Sequence, residues 1–165
     1  MKIDELKSKI DEYQSTQDAI QKNRKTWQEQ TKPMLIETLN KINEEFPIGW
    51  HVQILDWAKN SEGVNITFGA MPSGITEKSE KSFRSYVKKG GTIVFSQAYN
   101  GEIFVIILYP SVDELVSEAD NKLLGKFSPD TITEEFIVDK VLIFLEEMIK
   151  WEKSTYGNRL GFKVN

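Results

Sequence analysis

Residues 92–109, TIVFSQAYNGEIFVIILY, place two runs of β-branched and aromatic residues on either side of Asn100-Gly101. Asn-Gly suits the two positive-φ positions of a type I′ turn, so the stretch predicts a β-hairpin. A two-residue turn sets Tyr99 opposite Glu102 and pairs Gln97 with Phe104, Phe95 with Ile106 and Ile93 with Leu108. One face then carries Ile93, Phe95, Gln97, Tyr99, Phe104, Ile106 and Leu108, and the other Val94, Ser96, Ala98, Ile103, Val105, Ile107 and Tyr109. Both faces are mainly apolar, which predicts an interior hairpin covered on both sides.

A second hairpin is expected upstream. Trp50–Ala58 alternates Trp50, Val52 and Ile54 with His51, Gln53, Leu55 and Trp57, and Val64, Ile66, Phe68 and Ala70 alternate beyond a turn at residues 60–63. Between the hairpins, Thr76 can cap a short helix running to Lys89, with Phe83, Tyr86 and Val87 inward and Gly90 just past its end. DELVSEADNKLL reads as a short helix broken at Gly125. Ser128-Pro129-Asp130 is a helix start, and the helix extends to about Tyr156 with Gly157 as its stop. The closing LGFKVN suits a short strand.

At the N-terminus, Ile3, Leu6, Ile10, Tyr13, Gln17, Ile20, Arg24 and Trp27 alternate steps of three and four, the a/d seam of a coiled coil. Pro33 predicts a break, followed by a second stripe of Met34, Leu35, Leu39, Ile42 and Phe46. A helix of about 29 residues is ~43 Å long. A compact chain of this size is about 40 Å across. Residues 1–32 therefore either span the body or project from it, and a projecting seam wants a partner. In the C-terminal helix, Phe136 and Ile143 fall on the polar side. Either another helix of the same chain covers them or they meet a partner.

Several kinds of chemistry lack the residues they require. The chain has no cysteine, hence no thiolate nucleophile, disulfide or Cys-based zinc site, and a reducing, cytoplasmic setting fits. One histidine, His51, rules out a two-His metal site, and its strand position favours a hydrogen-bonded structural role. GAMPSGIT, residues 69–76, has the glycine spacing of a phosphate loop, but Ile75 stands where the lysine is needed. It reads as a turn. Lys78, Lys81, Arg84, Lys88 and Lys89 flank Phe83 and Tyr86, a pattern able to meet a phosphate backbone. The net charge of −4 opposes that reading, and a solvated face or a contact with an acidic protein accounts for the lysines better. The longest apolar run, residues 103–109, is too short to span a bilayer, and the charged N-terminus does not resemble a secretion signal.

The expectation is one α+β domain over residues 1–165. A four-stranded antiparallel sheet, two hairpins with a short helix between them, is packed by a long N-terminal helix broken at Pro33 and a long C-terminal helix. The expected function is non-catalytic protein–protein contact, most simply a homodimer. Ile3, Leu6, Ile10, Tyr13, Ile20 and Trp27 supply the interface, assisted by Phe136 and Ile143. The alternative is a ligand pocket or active site at one end of the sheet, from His51, Asp56, Gln97 and Glu102. A further alternative is weak nucleic-acid binding by residues 78–89. No cofactor or metal is expected.

Overall fold

The computed structural model describes residues 1–58, 61–112 and 121–154. Helix α1 (Lys2–Thr26) passes through one π-helical turn, Trp27–Thr31, into α2 (Lys32–Glu45) without stopping. Strands β1 (Trp50–Ala58) and β2 (Ser61–Phe68) form the first hairpin. β3 (Met71–Lys78) and β4 (Phe83–Lys89) form a second, and β5 (Thr92–Gln97) and β6 (Ile103–Leu108) a third. A two-residue β7 (Ser111–Val112), then β8 (Asn121–Phe127), a 3₁₀ turn at Pro129–Thr131 and helix α3 (Glu134–Lys153) complete the described chain.

The strands make two antiparallel sheets rather than one of four. Five are ordered β1-β2-β5-β6-β8, and three are ordered β3-β4-β7. Helices α2 and α3 cover one face of the larger sheet. There Val64, Ile66, Ile93, Phe95, Ile103, Val105 and Ile107 are fully buried against Leu35, Leu39, Ile137 and Phe144. Trp50 stacks on Phe68 at 5.6 Å between ring centroids, and Phe68 meets Phe144 at 5.9 Å.

Several expectations are corrected. The Asn-Gly turn is one residue longer than a type I′ loop. Gly101 N–H donates to Ala98 O at 3.0 Å, and Ala98 N–H to Glu102 O at 2.8 Å. Tyr99 and Asn100 are thus the central residues, and Gly101, at φ +82°, follows them in the left-handed region. Pairing is therefore Gln97 with Ile103, Phe95 with Val105 and Ile93 with Ile107. That slip of one residue turns Ile103, Val105 and Ile107 into the core and sends Phe104, Ile106 and Leu108 to the opposite face. Among the described residues, helices cover only one face.

Residues 76–89 contain no helix. They belong to the β3–β4 hairpin, turned where Ser79 and Ser82 exchange backbone hydrogen bonds and their hydroxyls meet at 2.7 Å. Phe83, Tyr86 and Val87 are aromatic or β-branched, the residue types that favour strands. Residues 121–127 are a strand beside β6, not part of a helix, and the upstream part of that expected helix lies outside the described residues. So do Gly157 and the closing LGFKVN.

Pro33 does not end the first helix. A proline ring inside a regular α-helix clashes with the carbonyl four residues back. The preceding turn is widened instead, with Lys32 N–H bonding Trp27 O five residues away. Thr31 Oγ, buried here, donates to Pro129 O at 2.9 Å and ties the widened turn to the body.

Helix α3 starts five residues after the expected Pro129, because Pro129 opens a separate 3₁₀ turn. Thr133 is the cap, its hydroxyl accepting from Phe136 N–H at 3.1 Å. Among the described residues, no helix is long and apolar enough to cross a membrane.

Two carboxylates fasten the layers. Glu62 accepts from the Trp27 indole N–H and from Lys32 Nζ, both at 3.0 Å, and the indole bond, with Lys32 behind it, holds its pKa below the ordinary 4.5 despite partial burial. Glu147 on α3 accepts from Tyr109 Oη at 2.7 Å and Lys122 Nζ at 3.2 Å, and its pKa is lowered chiefly by the Tyr109 hydrogen bond. Both folded values lie below the unfolded one, so in acid the unfolded chain binds more protons than the folded one. Stability from these contacts is complete at neutral pH and is lost as pH falls from about 4.5 downward. Thermal melts should be flat from pH 6 to 8 and decline below pH 5, and Glu62→Gln should flatten that acid limb. An acid limb identical in Glu62→Gln would show that Glu62 carries none of the pH dependence.

Candidate functional site

The heptad stripe of α1 has two fates along its length. Toward its C-terminal end the a/d positions face the body. Arg24 donates from Nε to Tyr99 O at 2.9 Å, and a second time through Nη2, while its guanidinium lies 4.8 Å from the Tyr99 ring centroid. Asn23 and Arg24 lie so close to Gly101 that a Cβ there would come within 2.5 Å of Asn23 Cβ and 3.2 Å of the Arg24 nitrogen. Only glycine lets this helix rest on the hairpin. Trp27 is 1% exposed, inside the core.

Toward the N-terminus the same stripe has nothing on it. Ile3 is 70% exposed, Leu6 58%, Ile10 47% and Tyr13 65%, and α1 has no buried residue. Gln17 and Ile20, at the transition, are partly covered. A soluble helix normally buries its apolar stripe. Here about 15 residues, 2–16, stand clear of the body, an arm of ~22 Å at 1.5 Å per residue. The seam is flanked at its e and g positions by Lys2, Lys7 and Lys9, then by Gln14, Thr16, Gln21 and Asn23. Its acidic residues, Asp4, Glu5, Asp11, Glu12 and Asp18, lie further round.

Of the eight residues assigned to the interface, four are thus on the open arm and Ile20 is at its base. Trp27 belongs to the core of its own chain, where the body closes over the stripe. Phe136 and Ile143 are half-buried against that core as well. Phe136 meets Phe127 edge-on at 4.8 Å, so β8 supplies part of its cover. Periodicity within one helix does not record this cover, because Phe127 comes from a separate strand paired to β6.

His51, Asp56, Gln97 and Glu102 do not converge. His51 pairs with Thr67, which pairs with Thr92, so all three lie on the sheet face away from the helices. Gln97 is five residues beyond Thr92 on the same strand and is buried on the helix-covered face. Asp56 lies toward the far end of β1 from His51, and Glu102 closes the β5–β6 loop. His51 instead begins a polar ladder. Its Nε2 lies 3.3 Å from Gln53 Nε2, and Gln53 Oε1 accepts from Asn65 Nδ2 at 3.2 Å. Asn65 Oδ1 is buried without a partner, the one such side-chain atom among the described residues.

A cleft of about 330 Å³ lies at the end of the large sheet where β2 finishes, between α3 and the small sheet. Phe68, Met71, Pro110, Leu145, Met148 and Ile149 wall it. Its polar lining is Lys88, Glu152 and Lys153, and the first two pair with each other. Five separate stretches of chain contribute these side chains, which is why no motif marked it. The basic residues of β3–β4 are also partly engaged: Arg84 lies 4.7 Å from the Tyr86 ring centroid and Lys88 lies 5.4 Å from that of Trp151. They do not form one helical basic face.

Comparison with protein-family models, with curated proteins and with solved structures finds no match for the chain.

Proposed function

We propose that this chain is a non-catalytic interaction module that self-associates through the N-terminal half of α1. The observation carrying this reading is a single helix stripe whose base is fastened to the body while Ile3, Leu6, Ile10 and Tyr13 stay in solvent. An isolated projecting helix is marginal in water, because its nucleus is costly and its length adds little. Burying the stripe against another helix supplies the missing stabilisation. The cleft beside α3 supports a binding reading less well, since two of its three polar side chains satisfy each other.

Sedimentation velocity at tens of micromolar tests the proposal. The wild-type chain should sediment at twice its 19.0 kDa mass. The double variant Leu6→Asp/Ile10→Asp should sediment as a monomer with an unchanged far-UV spectrum for its body. If wild type and variant are both monomeric at these concentrations, self-association is wrong.

A further inference from the structure

A sheet edge offers unpaired backbone groups to any further strand, and proteins usually blunt such edges with lysine, proline, bulges or short length. Among the described residues, three edges carry these devices. β8 holds Lys122 and Lys126, and its pairing with β6 slips between Val105 and Ile106. β3 holds Pro72 and slips between Pro72 and Thr76, and β7 has only two residues. β1 carries none of them. It pairs with β2 without a break from Trp50 to Leu55 and holds no proline, glycine, lysine or arginine. The ladder shows which of its groups are free. Phe68 N–H donates to Gly91 O at 2.9 Å, so Phe68, and with it Ile66 and Val64, turns its backbone toward β5. Thr67, Asn65 and Gly63 turn the other way and meet His51, Gln53 and Leu55. Trp50, Val52 and Ile54 therefore aim N–H and C=O outward, and no described strand lies beyond them. On the helix side of this edge Ile54 and Phe46 are exposed, and Phe46 O accepts from the Trp50 indole N–H at 2.7 Å.

We propose that β1 is a strand-accepting edge and that residues 160–165 of the same chain, Leu-Gly-Phe-Lys-Val-Asn, are the strand it takes, running parallel to it. The inference is independent of the arm. Position supplies the first argument. Helix α3 ends at Lys153, which lines the cleft with Ile48 and Phe68, and Phe68 pairs with Trp50. The chain thus leaves α3 at the end of the sheet where β1 begins, and a strand laid on the edge from there runs in the direction of β1. Length supplies the second. From Phe68 to a strand outside β1 is two strand spacings, ~10 Å. Residues 155–159 reach ~17 Å, which leaves room for the change from helix layer to sheet layer. Connections of this size commonly join a helix to a strand. Residues 160–165 then match the unbroken stretch Trp50–Leu55 in number. Pattern supplies the third. Leu160, Phe162 and Val164 alternate with Gly161, Lys163 and Asn165. Beside β1, the apolar set covers Ile54 and Phe46 on the helix side, and the polar set joins His51 and Gln53 on the other face.

Amide hydrogen exchange on the full chain, resolved by NMR, tests the proposal, with Val52 and Ile54 N–H as reporters. In the wild type both should exchange at least roughly tenfold more slowly than free amides, because each is bonded across the edge. Lys163→Pro removes the N–H at the centre of the added strand and leaves its apolar residues in place. It should return both reporters to the free rate while Ile66 and Ile93, inside the sheet, stay protected. Phe162→Asp/Val164→Asp keeps every N–H but cannot cover the helix side, and should have the same effect. Reporters at the free rate in the wild type overturn the proposal. So does protection that survives both variants, and if that protection deepens with protein concentration the edge belongs to a second copy instead.

Discussion

Replacing Trp27 by alanine is expected to lower the free energy of unfolding by about 3–5 kcal/mol, a large part of the roughly 5–15 kcal/mol that a domain of this kind has. Three losses coincide at this position. A nearly fully buried indole leaves a cavity between the widened turn and the sheet. The Glu62 carboxylate loses its indole donor and keeps only Lys32. The base of α1, held on the other side by Arg24 at Tyr99, loses its second anchor. In urea, with a slope of ~2 kcal/mol per molar, the midpoint should fall by about 2 M. Trp27→Phe keeps most of the ring but not the N–H, and should lose only about 1–2 kcal/mol. A Trp27→Ala midpoint within about 0.3 M of wild type would show that the indole is not part of the core and would return it to the exposed seam.

Gly101→Ala is the second large effect, about 2–4 kcal/mol. An L-residue at φ +82° costs about 1–2 kcal/mol before any contact is considered. The added methyl also meets Asn23 Cβ at 2.5 Å and the Arg24 nitrogen at 3.2 Å, so helix or hairpin has to move. Gly74→Ala separates the two contributions. Gly74 has nearly the same φ, +81°, and nothing within 4 Å of its added Cβ. It should lose only the conformational part. The difference between the two variants, read as a difference in urea midpoint, is then the contact between α1 and the hairpin. Equal midpoints would mean that the hairpin tip does not support the helix. The same variants bear on assembly, because loosening the base of the arm changes the direction in which its stripe is offered.

The elements legible in the sequence were those whose signal is local. Alternation at Val64, Ile66 and Phe68 placed β2 and its core face, and turn chemistry placed the hairpin around Asn100-Gly101. The heptad steps from Ile3 onward placed the first helix and the stripe along it. Local signal also misleads. Asn-Gly fits a two-residue loop and also the end of a three-residue one, and with apolar residues on both sides of β6 the alternation did not decide between them. Phe83, Tyr86 and Val87 satisfy a short helix about as well as a strand. Their partner strand starts at Met71, across Pro72 and Gly74, where strand signals are weak.

By itself, then, the sequence determined which chemistry is missing, a chain with one imidazole and no thiol, and it determined the stripe along the first helix. Tertiary structure alone decided where that stripe changes from core to surface. A heptad is a property of one helix, and nothing in its spacing records how far the rest of the chain extends beneath it. The body reaches Trp27, Arg24 and part of Ile20 and Gln17, and stops. The physical reason is the size of the hairpin tip against the length of the helix. The tip meets the helix at Asn23 and Arg24, and a helix gaining 1.5 Å with each residue outruns it.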